Sequence, residues 1–243
     1  MGQSSGEMHP FYQVDVFSSE RYRGNPVAVT IVSNQESASR FTTEYMANFA
    51  RWTNLSETTF ILPPSDSSRA DYRLRIFTPG MELPFAGHPT LGSCRAWLAH
   101  GGKPKREGVV VQECGLGFIE IQIGQGESVD PADENQKLAF AAPPLRRSGP
   151  VDNASIQQVC EAMGMDPSEI VTAEWIVNGP EWIALQLKDA QAVLDVRIID
   201  PSKAGTLLWG VFGTYAPGQG PDDADYEVRT FAPCDNILVS SFM

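Results

Sequence analysis

No apolar run in this 243-residue chain approaches the roughly 20 residues that cross a bilayer, and only three histidines occur. The first lack argues against a membrane-spanning helix. The second, with the three spread over His9, His88 and His100, argues against a metal site. Basic residues are also sparse: 18 Lys and Arg stand against 30 Asp and Glu, for a net charge of −12. They are scattered, so phosphate backbones are repelled and a nucleic-acid partner is not expected. The four cysteines, Cys94, Cys114, Cys160 and Cys234, form no C-x-x-C pair and are expected to be structural thiols. The start, Met1 to Gly6, lacks the basic and apolar regions of a signal peptide, and Gly6 stands where myristoylation wants Ser or Thr. The expected location is cytoplasmic, which leaves the sequons at Asn54 and Asn153 without meaning. Also missing are G-x-G-x-x-G, a phosphate loop, a G-x-S-x-G elbow and an H-E-x-x-H zinc helix.

What is present alternates strand and helix patterns. Phe11 to Phe17 and Pro26 to Val32 are expected strands, with Arg23-Gly24-Asn25 turning between them. Phe41, Tyr45, Phe49 and Trp52 fall on one face of a helix. Thr58 to Leu62 and Tyr72 to Phe77 are further strands. A helix opened by Gly87-His88-Pro89-Thr90 carries Leu91, Cys94, Trp97 and Leu98 and stops at Gly101-Gly102. Val109 to Gln112 and Phe118 to Ile123 flank a hairpin turn, Cys114 to Gly117.

Gly124 to Asn135 is the expected linker. Beyond it come a strand at Leu138 to Phe140, a helix at Ala154 to Met163, and strands at Ile170 to Ile176 and Trp182 to Leu187. A helical segment at Pro201 to Leu208 and a strand at Val211 to Tyr215 follow. Tyr226 to Phe231 echoes Tyr72 to Phe77, and Ala232-Pro233 follows it as Thr78-Pro79 follows the first. The echo suggests two similar α+β halves, 1–127 and 128–243.

Two places can carry chemistry. At the Gly87-His88-Pro89-Thr90 turn, Pro89 suits the first helical position, and Gly87 lets a ligand approach the backbone. The N–H groups of Gly87, His88 and Thr90 are expected to hold a carboxylate, since a helix start favours negative charge. Glu57 stands at the mouth of the Thr58 strand, where a desolvated carboxylate can exchange protons with carbon acids. Taken singly, each also fits an ordinary capped helix or a solvated surface residue.

Several spaced segments occur together in one order: Val14-Asp15-Val16-Phe17, Arg23-Gly24-Asn25-Pro26-Val27-Ala28-Val29, Asn54-Leu55-Ser56-Glu57-Thr58, Phe77-Thr78-Pro79, and Glu82 through Gly92. In this the chain resembles the PhzF-like family, the phenazine-biosynthesis isomerases, which share the diaminopimelate epimerase fold. The match is close from Phe11 to Ile123 and looser to Pro233. The resemblance implies an α+β fold of two pseudo-symmetric domains, each a β-barrel-like sheet round a central helix, with the active site in the cleft between them. It implies a homodimer that moves a proton on a small, cyclic carboxylate with no cofactor and no metal. Carried over by motif, Glu57 is the acid/base and the Gly87-His88 pair lines the substrate site. His88 is then the catalytic residue expected to hydrogen-bond or polarise the substrate, while the helix-start N–H groups of Gly87 and Thr90 hold its carboxylate. Asn25, in the Gly-Asn-Pro turn, is a substrate-side residue that shapes its loop. Related two-thiol racemases carry a Cys before the corresponding Gly; Ala86 stands there, which disfavours a thiol mechanism.

After Phe231-Ala232-Pro233 the family pattern continues with a D-P-x-T-G-S-type segment and a further helix and strands. This chain reads Cys234-Asp235-Asn236-Ile237-Leu238-Val239-Ser240-Ser241-Phe242-Met243. Asp235 is no replacement, because no Thr-Gly-Ser follows it. The expectation is an incomplete second domain with low stability and little activity in this form, and no obvious layer for Ile237, Leu238, Val239 and Phe242. The alternative is a catalytically inactive short form that serves as a small-molecule binding or interaction module.

Overall fold

The computed structural model describes residues 7–18, 20–124, 137–221, 224–233 and, for the backbone, 237–241. Residues 125–135 of the expected linker, the start before residue 7, and Cys234, Asp235, Asn236 and Phe242 lie outside the described residues. The fold is mixed α+β, and its residues gather into two units, 1–142 and 143–243.

The first unit runs β1 (Phe11–Val16), β2 (Asn25–Ile31), α1 (Gln35–Ala38), α2 (Thr43–Thr53), β3 (Glu57–Leu62), β4 (Tyr72–Phe77), β5 (Glu82–Leu83), α3 (Gly87–Ala99), β6 (Val109–Cys114), β7 (Gly117–Ile123) and β8 (Leu138–Phe140). The strands form one sheet in the order β1-β2-β3-β4-β6-β7-β8, with β5 on β4. Helix α3 touches β1, β2, β3, β4 and also β8, strands from both ends of that order, so the sheet curls round it. Alternation decides the faces. Val27, Val29, Ile61, Tyr72, Leu74 and Ile76 turn toward α3, while Phe60, Leu62 and Phe77 turn toward α2.

A helix enclosed in this way is buried almost all round: Thr90, Gly92, Ser93, Cys94, Ala96 and Leu98 are all buried. Small residues let it sit close. A Cβ on Gly92 would stand 2.4 Å from Val27 Cγ1 and 2.9 Å from Val16 Cγ2. Its polar groups find partners inside, with Thr59 Oγ1 2.8 Å from Ser93 Oγ and Gln112 Nε2 donating to Thr90 Oγ1 at 3.1 Å.

Three local expectations need correction. The buried face of α2 is Met46 and Ala50, backed by Phe49, whereas Tyr45 and Trp52 are exposed. The helix begins only at Thr43, capped by Thr42, so Phe41 packs on Phe60 from outside it. Pro89 is the third helical residue and not the first, because α3 already begins at Gly87. Strand β8, which follows the expected linker, pairs with β7 and so extends the first sheet.

The second unit runs β9 (Arg147–Pro150), α4 (Asn153–Met163), a 3-10 turn (Pro167–Glu169), β10 (Thr172–Val177), β11 (Trp182–Gln186), α5 (Ala190–Asp195), a second 3-10 turn (Pro201–Ala204), β12 (Leu208–Thr214), β13 (Tyr226–Ala232) and β14 (Ile237–Ser241). The expected helical segment from Pro201 is only that short turn. The helix lies upstream at α5, capped by Asp189. The sheet order is β14-β13-β12-β11-β10-β9, so Ile237 to Ser241 adds an edge strand to β13. Along β1 to β4 the pairings are antiparallel, parallel, antiparallel, and β10 to β13 repeat that series. One face of this sheet packs Ile183, Leu185, Trp209, Val211 and Phe231 with Val159, Met163 and Val193 of α4 and α5. Among the described residues no helix is long and apolar enough to cross a membrane.

Candidate active site

Because β2 and β3 are parallel, with Val27 opposite Glu57, both strands start at the same edge of the sheet. Asn25 opens β2, Glu57 opens β3, and α3 starts beside them. The Asn54-Leu55-Ser56-Glu57 turn has a local cause. Asn54 closes α2 in the left-handed conformation, φ 55°, which Asn tolerates better than most residues. Thr53 Oγ1 and Thr58 Oγ1 then pinch the turn shut at 2.6 Å. On the other side, Thr78 Oγ1 accepts from Gly80 and Met81 N–H and shapes the turn that leads to α3.

Residues far apart in sequence meet at this edge. His88 Nε2 is 3.2 Å from Glu57 Oε2, and both side chains are largely withdrawn from solvent. His88 Nδ1 is 3.3 Å from Asn25 Nδ2. An amide nitrogen can only donate, so with the Asn25 amide in this orientation Nδ1 is the acceptor and the ring proton is assigned to Nε2, facing Glu57. Burial pushes the His88 pKa down to about 4, and the Pro26 carbonyl, which favours the charged ring, offsets only part of that. At neutral pH the imidazole is therefore neutral, and its contact with Glu57 is a carboxylate against a polarised N–H rather than an ion pair. Ser56 Oγ, next to Glu57 in the turn, is buried without a hydrogen-bond partner among the described residues. Buried polar groups in this state call for a ligand or an ordered water.

The helix start supplies the charge complement. Ala86 is the N-cap of α3 in extended conformation and has no side chain to cap with, so the first N–H groups, those of Gly87 and His88, have no intrahelical acceptor. Thr90 does not join them. Its N–H donates to the Ala86 carbonyl at 3.2 Å, and its fully buried hydroxyl is engaged by Gln112. Gly87 and His88 are therefore the donors with no acceptor in the helix, and Thr90 anchors α3 in the core. Among the described residues no group of three His, Cys, Asp or Glu side chains is placed to hold a metal.

Two aromatic residues flank the pair of donors, and neither was singled out as a site residue from sequence. The Phe17 ring lies 6.4 Å from the His88 ring, and Phe140 Cζ stands 3.5 Å from where a Cβ on Gly87 would be. Phe17 is the last residue of the Val-Asp-Val-Phe motif, and its membership of that motif was the available signal. Asp15 of the same motif accepts the Arg23 N–H at 3.1 Å and folds the loop back, which sets Asn25 against His88.

Residues 14–238 match the family model for the phenazine biosynthesis-like proteins, PhzC-PhzF. Antisense-enhancing sequence 1 of Schizosaccharomyces pombe is 40% identical over 191 residues, 77% of this chain and 60% of that protein. The trans-2,3-dihydro-3-hydroxyanthranilate isomerase of Pseudomonas aeruginosa is 46% identical over 98 residues, 40% of this chain and 33% of that enzyme. The chain thus spans less than two thirds of the length of either relative. The crystal structure of a PhzF-family protein from Bacillus anthracis superposes with a TM-score of 0.71 at 18% identity, over 95% of this chain and 74% of that one, a likeness of fold. With a family model matched along nearly its whole length, the chain belongs to the PhzC-PhzF family of phenazine biosynthesis-like proteins.

Proposed function

We propose that this protein is a cofactor-independent isomerase of the PhzF type, and that Glu57 moves a proton on a small, cyclic carboxylate. The observation that carries this reading is the 3.2 Å contact between a half-buried carboxylate and a buried, neutral imidazole at an uncapped helix start. The substrate carboxylate sits on the N–H groups of Gly87 and His88, where the helix dipole favours its charge. Glu57 takes a proton from the activated carbon, and the electron pair left behind spreads into the adjoining unsaturated system. The same carboxyl group then returns the proton at a second carbon, so Glu57 ends as it began. His88 Nε2–H is the neutral donor that steadies the charge developing between the two transfers. The isomerase named among the relatives supports the reaction class. In this reading the two units are pseudo-symmetric domains, consistent with the repeated pairing series, and the enzyme works as a cytoplasmic homodimer.

A panel of small carboxylates tests the proposal. Ligands that raise the unfolding temperature of the wild type and of Glu57→Gln, but raise that of Ala86→Ser less, identify the site. Washout of a carbon-bound proton from those ligands by the wild type alone supports proton transfer by Glu57. Binding without washout in the wild type favours the binding-module alternative and overturns the isomerase reading.

A further inference from the structure

We infer that Phe17 is a specificity-determining residue of this site, one whose ring reads the flat face of a bound carboxylate. The inference rests on the carboxylate site described above. Phe17 leaves β1 with φ 68°, in the left-handed region that an L-aromatic residue adopts only at a cost. Its ring gains little burial in return, being 58% exposed. A strained backbone that places an exposed ring over a buried functional side chain is a feature the fold maintains and does not merely tolerate.

The surrounding loop holds it there. Asp15 fixes the Arg23 N–H from below. Gly24 is pressed against the chain just before Phe17, where a Cβ would fall 2.2 Å from the Val16 carbonyl oxygen. Only glycine allows that approach, so the loop closes with Phe17 turned toward His88, the ring centroids 6.4 Å apart and tilted by 60°.

A carboxylate seated on the Gly87 and His88 N–H groups brings its body past this ring. Aromatic faces favour other flat, unsaturated groups over saturated ones of the same size, by roughly threefold to tenfold in affinity. Phe17 therefore selects ligands in which the carbon next to the carboxylate lies in a planar system. Those are also the ligands whose carbanion can spread its charge once Glu57 has taken the proton.

The experiment uses benzoate and cyclohexanecarboxylate, which share charge and ring size, with dissociation constants measured for the wild type, Phe17→Leu, Phe17→Asn and Ala86→Ser. The wild type is expected to prefer benzoate roughly threefold to tenfold. Phe17→Leu is expected to lose that preference while its affinity for cyclohexanecarboxylate changes less than about twofold. Phe17→Asn, which suits the left-handed conformation, is expected to unfold at a higher temperature and also to lose the preference. An intact benzoate preference in Phe17→Leu would overturn the role of Phe17 and leave the carboxylate site standing. If neither compound binds, or if Ala86→Ser, whose hydroxyl takes the His88 N–H, binds both as well as the wild type does, the carboxylate site fails and the inference fails with it.

Discussion

His88 and Glu57 face each other across 3.2 Å at the edge where β3 and α3 both begin, and the imidazole is held neutral by its own burial. The relationship follows from topology. A parallel β2–β3 pair puts two strand starts side by side, and a helix enclosed by the curled sheet must begin at the rim. A carboxylate, a neutral N–H donor and two open backbone N–H groups are thereby brought together. The consequences below each use one part of that arrangement.

Stability should depend on pH through His88. Its folded pKa is about 4, below the ordinary 6.5, so between those values the unfolded chain binds the extra proton. Stability therefore rises with pH across that window. The contribution, on the order of 3 kcal/mol, is complete above pH 6.5 and gone below pH 4. Denaturant unfolding between pH 4 and 7.5 is expected to show a shallower dependence in His88→Gln than in the wild type. Identical slopes would contradict a buried neutral His88.

Asn25 should set the tautomer. Asn25→Asp replaces the amide donor with an acceptor, which draws the ring proton to Nδ1 and favours imidazolium. The variant is expected to show a raised His88 pKa in histidine NMR spectra and a loss of turnover of roughly tenfold or more. A wild-type tautomer and pKa in that variant would show that the contact at Nδ1 has no such role.

Ala86 should represent an exchange of helix stability for ligand binding. Its extended backbone suits a capping residue, yet its side chain accepts nothing. Ala86→Ser lets a hydroxyl take the His88 N–H, since Pro89 offers none. The substitution is expected to raise stability by about 1 kcal/mol and to weaken carboxylate binding. Tighter carboxylate binding in this variant would show that the helix start is not the anion site.

Thr90 separates anchoring from binding. Thr90→Val removes the acceptor of the buried Gln112 amide and is expected to cost about 1–3 kcal/mol of stability. Ligand affinity, measured well below the unfolding temperature, should stay within about twofold, because a folded-state donor to the ligand is not lost. A large affinity loss at unchanged stability would return Thr90 to the substrate.

Much of this site was legible as motif. The Asn-Leu-Ser-Glu and Gly-His-Pro-Thr segments marked Glu57 and His88 because each is a local turn with a local cause: a left-handed Asn cap in one, a helix start in the other. What the sequence hid depends on enclosure. The burial of Met46 over Tyr45 in α2 is decided by which side of that helix meets the sheet. The Thr90 N–H looked open because the sequence pattern starts the helix at Pro89. Starting at Gly87, the helix gives that N–H the Ala86 carbonyl, while the Gln112 amide on the Thr90 hydroxyl is a contact only the enclosed fold reveals. Phe17 was visible as a strand residue, but its positive φ and its place beside His88 arise from the Asp15–Arg23 contact and the crowding at Gly24.

The most direct measurement is solvent-deuterium incorporation into a bound carboxylate, followed by mass spectrometry in wild-type protein and in Glu57→Gln. Wild type should place deuterium at carbon, and Glu57→Gln should lose that exchange by roughly 10²–10⁴-fold while still binding the ligand. Undiminished exchange in Glu57→Gln would contradict Glu57 as the proton carrier.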